Sequence, residues 1–193
     1  MLELEDQALA SCCGLYCGLC PRYQSKAPSR CVGCHLGDQH SYCSVYRCCV
    51  IKRGLHTCAE CDDYPCERLL RVLGVEQGLD SFISHRPAIP NLERIREIGL
   101  EGHLEEQRER RLLVEHLLEL YNEGRSMSFY CRACALLPPR VIRDSLLEME
   151  GKLEREEVDG ADLKAKAKAM KALIQQRASE AGISLKLRRK PRE

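Results

Sequence analysis

Cys12, Cys13, Cys17, Cys20, Cys31, Cys34, Cys43, Cys48, Cys49, Cys58, Cys61 and Cys66 crowd into fewer than sixty residues near the start of the chain, twelve of its fourteen cysteines. Thiols at this density pair as disulfides, hold metal as thiolates, or act as nucleophiles and redox groups. The spacing favours metal. Cys31-x2-Cys34 and Cys58-x2-Cys61 are CxxC pairs, and Cys13, Cys17 and Cys20 are spaced C-x3-C-x2-C. A CxxC pair closes a small chelate ring through one turn, and two such pairs complete a tetrahedral sulfur site without a large core to position them. Gly14 and Gly18 follow two of the first three cysteines; glycine there lets the backbone turn so that amide N–H groups face the sulfurs and temper their charge. The segment also holds few bulky apolar residues, so burial alone is not expected to fold it.

The compartment bears on the same choice. The first six residues are acidic and lack both a basic n-region and an apolar run, and no later run approaches the roughly 18 apolar residues of a membrane span. The expectation is a cytoplasmic protein with no membrane association, where clustered CxxC pairs bind metal or do redox work more often than they form structural disulfides. A net charge of +1 gives no global field for nucleic acid. The basic tail at Arg188, Arg189, Lys190 and Arg192 offers a local one, but reads first as a solvated end. An unidentified protein is the expected partner.

Zinc suits glycine-flanked CxxC loops and would supply folding free energy outright. A [4Fe–4S] cluster is the alternative, since Cys13, Cys17, Cys20 and Pro21 resemble the closely spaced run ending in Cys-Pro that holds cubane clusters, although that run begins with x2 gaps. The same C-x3-C-x2-C spacing marks radical S-adenosylmethionine enzymes. Those place an aromatic residue before the third cysteine and build a large barrel, whereas this chain has Leu19 there and too few residues after it. His35, His40 and His56 lie among the cysteines and read as loop residues, because thiolates alone suffice for the sites. No catalytic constellation is visible. Cys66, at the entry of a helix whose dipole favours the thiolate, is the best candidate for a reactive thiol.

The elements that must position these groups follow from punctuation and periodicity. A lead-in helix is expected over residues 1–11, a short helical stretch around Val50 to Arg53 ended by Gly54, and a helix entered through Cys66. Beyond Leu69 cysteine nearly vanishes. Gly74, Gly78, Pro87 and Pro90 mark a connector, with a helical turn expected at 79–83. Asn91 is a plausible N-cap for a helix over 92–98 closed by Gly99, and an amphipathic helix should cover 104–121 and end at Gly124. Cys131 and Cys134, flanked by Phe129, Tyr130, Leu136 and Leu137, read as buried helix cysteines. Pro138 and Pro139 open a helix to about residue 156, and Asp162 to Ala181 forms the last, with Leu163, Ala167, Met170, Ile174 and Ala178 on one face. The alternation at 183–187 suggests a short strand. The fold class expected is a small metal-stabilised, loop-rich α+β cysteine domain (1–72) followed by an all-α helical region (73–193) with a short C-terminal strand and the basic tail.

Several of these residues together resemble the cysteine-rich prokaryotic family known as domain of unknown function 3795. The likeness rests on the run from Cys13 to Pro21, on Cys31-Val32-Gly33-Cys34, on Cys43-x4-Cys48, and on Cys58-Ala59-Glu60-Cys61-x2-Tyr64-Pro65-Cys66. Later motifs are similar too: Ile95 to Leu100, Tyr121 to Arg125 running into Phe129-Tyr130-Cys131, and the ending from Ile183 to Arg188. The resemblance implies a metal-binding protein and no particular reaction. Its pattern takes Cys13, Cys17, Cys20, Cys31, Cys34, Cys43, Cys48, Cys58, Cys61 and Cys66 as the candidate ligands and leaves Cys12, Cys49 and Cys134 outside. Ten thiols suit two four-cysteine sites with two left over.

Overall fold

The computed structural model describes residues 9–189. Most of the expected lead-in helix, and the end of the basic tail, lie outside the described residues. Among the described residues there is no strand, so the α+β character expected of the cysteine domain is corrected to helices and loops; extended pairing is limited to an isolated antiparallel bridge between Ala10 and Tyr16. The cause lies in how the cysteine loops use their amides. Cys20 N–H donates to Cys17 O at 2.9 Å, Cys61 N–H to Cys58 O at 3.2 Å and Tyr64 N–H to Cys61 O at 3.2 Å. Each turn of this kind brings the chain back on itself, leaving no extended run long enough to pair.

The chain divides into two compact units, residues 1–108 with 187–193, and residues 109–186. In the first unit a 3-10 turn, Cys17–Leu19, runs into a short helix, Pro21–Gln24, and a further helical turn, Ser44–Tyr46, runs into a π-turn, Arg47–Lys52, which ends before Gly54 at φ 64°. Helix α1 spans Glu67–Val72 with Cys66 as its N-cap. Helix α2 spans Ala88–Tyr121 and is interrupted at Gly99, whose φ of 79° and ψ of 166° are not helical. The break expected at Gly99 is therefore present, but Asn91 lies inside the helix and not at its cap. Pro90 is tolerated so close to the helix start because the first amides lack intrahelical partners anyway. The helical turn expected at 79–83 is a loop.

Cys12, Val45, Cys49, Cys58, Ala59, Leu69 and Leu73 form the apolar core of this unit together with Ala88, Leu92 and Ile95 of α2. The cysteine segment thus takes part of its core from residues that follow it. The terminal strand expected at 183–187 is also absent. Instead Asp80 N–H donates to Arg188 O at 3.0 Å, while Arg188 returns its own amide and a guanidinium N–H to the Asp80 carboxylate, each at 2.9 Å. A carboxylate, not a strand ladder, holds this end of the chain.

The second unit contains residues 109–121 of α2 with α3 (Met127–Leu136), α4 (Pro139–Glu154) and α5 (Leu163–Glu180). Helix α4 packs on α5, and α3 on α4. Pro139 opens α4 at its first position, and the Asp162 carboxylate caps α5 by accepting Lys164 N–H at 2.8 Å. Ala167, Met170, Ile174 and Ala178 are buried at helical spacing, while Leu163, expected on the same face, is exposed. Cys131 and Cys134 are buried in α3, as expected. Arg110 donates to the carbonyls of Cys134 at 2.6 Å and Leu137 at 2.7 Å, satisfying acceptors that the end of α3 leaves open.

Candidate metal centre

The first cysteine loop is tied to α2. Ser11 N–H donates to Leu15 O and Gly14 N–H to Ser11 O, closing a tight turn, and Asn91 Nδ2 donates to Gly14 O at 2.8 Å. Gly14 stands at φ 85°, and a β-carbon there would lie 2.1 Å from the carbonyl oxygen of Ala88. Glycine is required twice over, by conformation and by contact. This loop, the 3-10 turn after it and the segment from Cys31 to Cys43 surround a cavity of about 160 Å³. Cys13, Cys17, Cys20, Cys31, Cys34 and Cys43 line it, with Cys12 and His40.

A second cavity, of about 270 Å³, is lined by Cys48, Cys49, Cys58, Cys61 and Cys66 with Arg53, Asp63 and Tyr64. Its thiols come from separate turns: the π-turn, the 3-10 turn Cys58–Glu60 and the start of α1. Thr57 and Glu60 form a capping box that fixes the middle one, with Thr57 N–H 2.7 Å from a Glu60 carboxylate oxygen. Cys58 N–H donates to Cys12 O at 2.9 Å and so joins the two loop systems.

The electrostatics follow from burial and thiol contact. Burial pushes the Cys13 thiol up to about 11, against hydrogen bonding from Ser11, whose Oγ lies 3.3 Å from its Sγ. Cys17 and Cys34 share a hydrogen bond that holds Cys17 below the usual thiol range and raises Cys34. Cys12, Cys49 and Cys58 form a chain of thiol contacts, and hydrogen bonding to Cys12 pushes Cys49 up to about 12. Arg53 Nη1 donates to Cys61 Sγ at 3.2 Å while its Nη2 pairs with Asp63. His40 Nε2 lies 3.5 Å from Cys31 Sγ. Burial, and the parallel ring of His56 at 4.2 Å, lower His35 to about 4.

All fourteen cysteines are free thiols. Of the ten candidate ligands, six line the first cavity and four the second. No three His, Cys, Asp or Glu side chains among the described residues already stand at metal-holding separations. Cys12 and Cys49, supernumerary in the sequence pattern, are buried in the core, Cys12 also lining the first cavity and Cys49 the second. Two contacts escaped the sequence: Arg53 against Cys61, and His40 against Cys31. The signal available was only a cationic or imidazole side chain within ten residues of a cysteine, which is common on any charged chain. Cys131 and Cys134 sit in the second unit, where burial pushes Cys134 up to about 12. Among the described residues, no helix is long and apolar enough to cross a membrane.

Residues 9–71 match the model of a family described as "Protein of unknown function (DUF3795)". No curated protein and no solved structure matches the chain.

Proposed function

We propose that this protein is a metal-binding module in which thiolate-bound zinc holds the cysteine-rich unit in shape, leaving its surface and the helical part to engage a protein partner. One observation carries the reading: Cys48, Cys58, Cys61 and Cys66, drawn from separate turns, line a single cavity. Four thiols are the donor set of a closed structural zinc site, and no carboxylate need join them. The remaining six candidate ligands gather around the other cavity, which supplies at least one further site of the same kind. Zinc in such sites is structural; it supplies folding free energy and no reaction step. The protein's own contribution is to present thiols on short turns and to place Arg53 N–H against the Cys61 sulfur, which tempers the thiolate charge.

That same contact favours a second reading. Hydrogen bonds and positive charge at cluster sulfurs tune the potential of iron–sulfur centres, so Arg53 would equally serve a protein that carries electrons. Metal and acid-labile sulfide analysis of protein purified without oxygen separates the two. Zinc at two or more per chain, with no sulfide and no visible absorption, supports the structural reading. Iron with matching sulfide and a broad band near ~400 nm transfers the conclusion to the redox reading, and a folded protein containing neither overturns both.

A further inference from the structure

Charge is distributed unevenly along the cysteine segment. From Gln7 to Ala59 the chain has a single acidic residue, Asp38, against Arg22, Lys26, Arg30, Arg47, Lys52 and Arg53. Arg53 is engaged by Asp63 and Cys61. Arg22, Lys26, Arg30 and Arg47 are exposed, and none of the four has a carboxylate partner among the described residues. Three of them lie on a loop that is tied to a second one, residues 39–42. Gln39 Nε2 donates to Arg30 O at 3.2 Å, Cys31 N–H donates to Arg22 O at 3.0 Å, and His40 Nε2 lies 3.5 Å from the Cys31 sulfur. The turn from His40 to Cys43, closed by Cys43 N–H on His40 O at 2.9 Å, carries Tyr42 at 76% exposure. Arg47 follows one turn later, its N–H on Cys43 O at 2.9 Å.

We propose that these two loops bind single-stranded nucleic acid, with Arg22, Lys26, Arg30 and Arg47 on phosphates and a base stacked on Tyr42. Cations that follow the backbone, beside a ring that any base can cover, are the elements of a single-strand site. The inference goes beyond the reading above and holds whichever metal the thiols carry. The net charge of +1 bears on the kind of strand. Acids elsewhere in the chain offset the local excess, so there is no broad field of the kind that attracts a stiff duplex, whereas a flexible single strand follows a small basic face. An acidic peptide would use the same cations but gives Tyr42 no role. The cations are not spent on the thiols either: among the described residues, no hydrogen bond joins the side chain of Arg22, Lys26, Arg30 or Arg47 to a sulfur, in contrast to Arg53 on Cys61.

Fluorescence anisotropy of the full chain, purified without oxygen, with a labelled oligouridine of about ten nucleotides tests this. Binding should weaken as salt rises, log K falling on log[salt] with a slope of about −2 to −3, as for three or four phosphate contacts on a single strand. Arg22→Gln combined with Lys26→Gln should reduce that slope by about 1.4. Tyr42→Ala should weaken binding by about 5- to 100-fold at unchanged slope, and Tyr42→Phe should restore it. Oligothymidine titrated in parallel tells RNA from DNA, and binding of either supports the site. Binding that these loop variants leave unchanged, or that Lys190→Gln with Arg192→Gln abolishes, overturns the proposal and moves the strand to the tail. A synthetic peptide of glutamates and aspartates that binds where neither oligonucleotide does overturns it in favour of an acidic protein partner, and no binding to any of the three overturns it outright. If Tyr42→Ala does not fold, ultraviolet cross-linking of a 5-iodouridine oligomer to the unmodified chain decides the matter. Attachment at Tyr42 supports the site, and attachment only elsewhere excludes it.

Discussion

Arg53 is where one residue's chemistry bears most directly on the candidate sites. Its guanidinium touches the Cys61 sulfur and is oriented by Asp63. Removing such a supporting group usually costs 10- to 100-fold in metal affinity. Arg53→Gln is therefore expected to speed zinc loss from the second cavity to a competing chelator by about 10-fold while leaving the fold intact; an unchanged rate would contradict this role. Asp80 gives a pH-dependent case away from the thiols. Burial would raise its carboxyl, but the Arg188 guanidinium and the amides of Arg188 and His85 outweigh this and hold it at about 2. A carboxyl whose folded value is depressed stabilises the fold above its unfolded value near ~3.9, and that stabilisation fades as pH falls towards the folded one. Arg188→Ala should thus cost about 1–2 kcal/mol near neutral pH, allowing for solvent around the exposed arginine. The difference from the unmodified protein should shrink as pH drops below ~4, as denaturant titrations at several pH values would reveal.

At the scale of elements, the turns that present cysteines depend on particular glycines to different degrees. Gly14→Ala would force a side chain against the Ala88 carbonyl and Leu92 from a left-handed conformation, whereas the β-carbon of Gly54→Ala meets nothing within 4 Å. Thermal melts of the zinc-loaded proteins should show a loss of about 3 kcal/mol or more for the first and about 1 kcal/mol for the second. Similar losses would contradict the docking of the first loop on α2. In the second unit, Met170 is fully buried on α5, and Met170→Ala should cost about 3 kcal/mol. These contrasts also explain what was legible in the sequence. Local turns around Cys17, Cys58 and Cys66, the break at Gly99 and the burial of Cys131 and Cys134 depend on neighbours a few residues away, and they could be read directly. The alternation at 183–187 does not make a strand, because no strand stands beside it among the described residues; the contact that holds the next residue, Arg188, is with the Asp80 carboxylate, roughly a hundred residues earlier. How the ten thiols divide was hidden for the same reason: Cys48 joins Cys66 and Cys13 joins Cys43 only through folding. Cys12 and Cys49, outside the pattern that the resemblance implies, are buried in the core cluster, where a free thiol behaves as a small hydrophobe.

On the scale of the whole molecule, two units with different sources of stability should respond differently to metal. The second unit buries Met149, Met170, Ile142 and Ile174 among its helices, and that packing needs no ion. In the first unit the core is small and partly made of thiols, so bound metal is expected to supply much of its folding free energy. Amide hydrogen exchange of the zinc-loaded chain, compared with the same chain after exhaustive chelation and reduction, tests this most directly. Amides from Cys12 to Cys66 should lose most of their protection, including Cys58 N–H on Cys12 O and Cys31 N–H on Arg22 O, while those of α4 and α5 keep theirs. Undiminished protection across the cysteine segment after the metal has gone would contradict it.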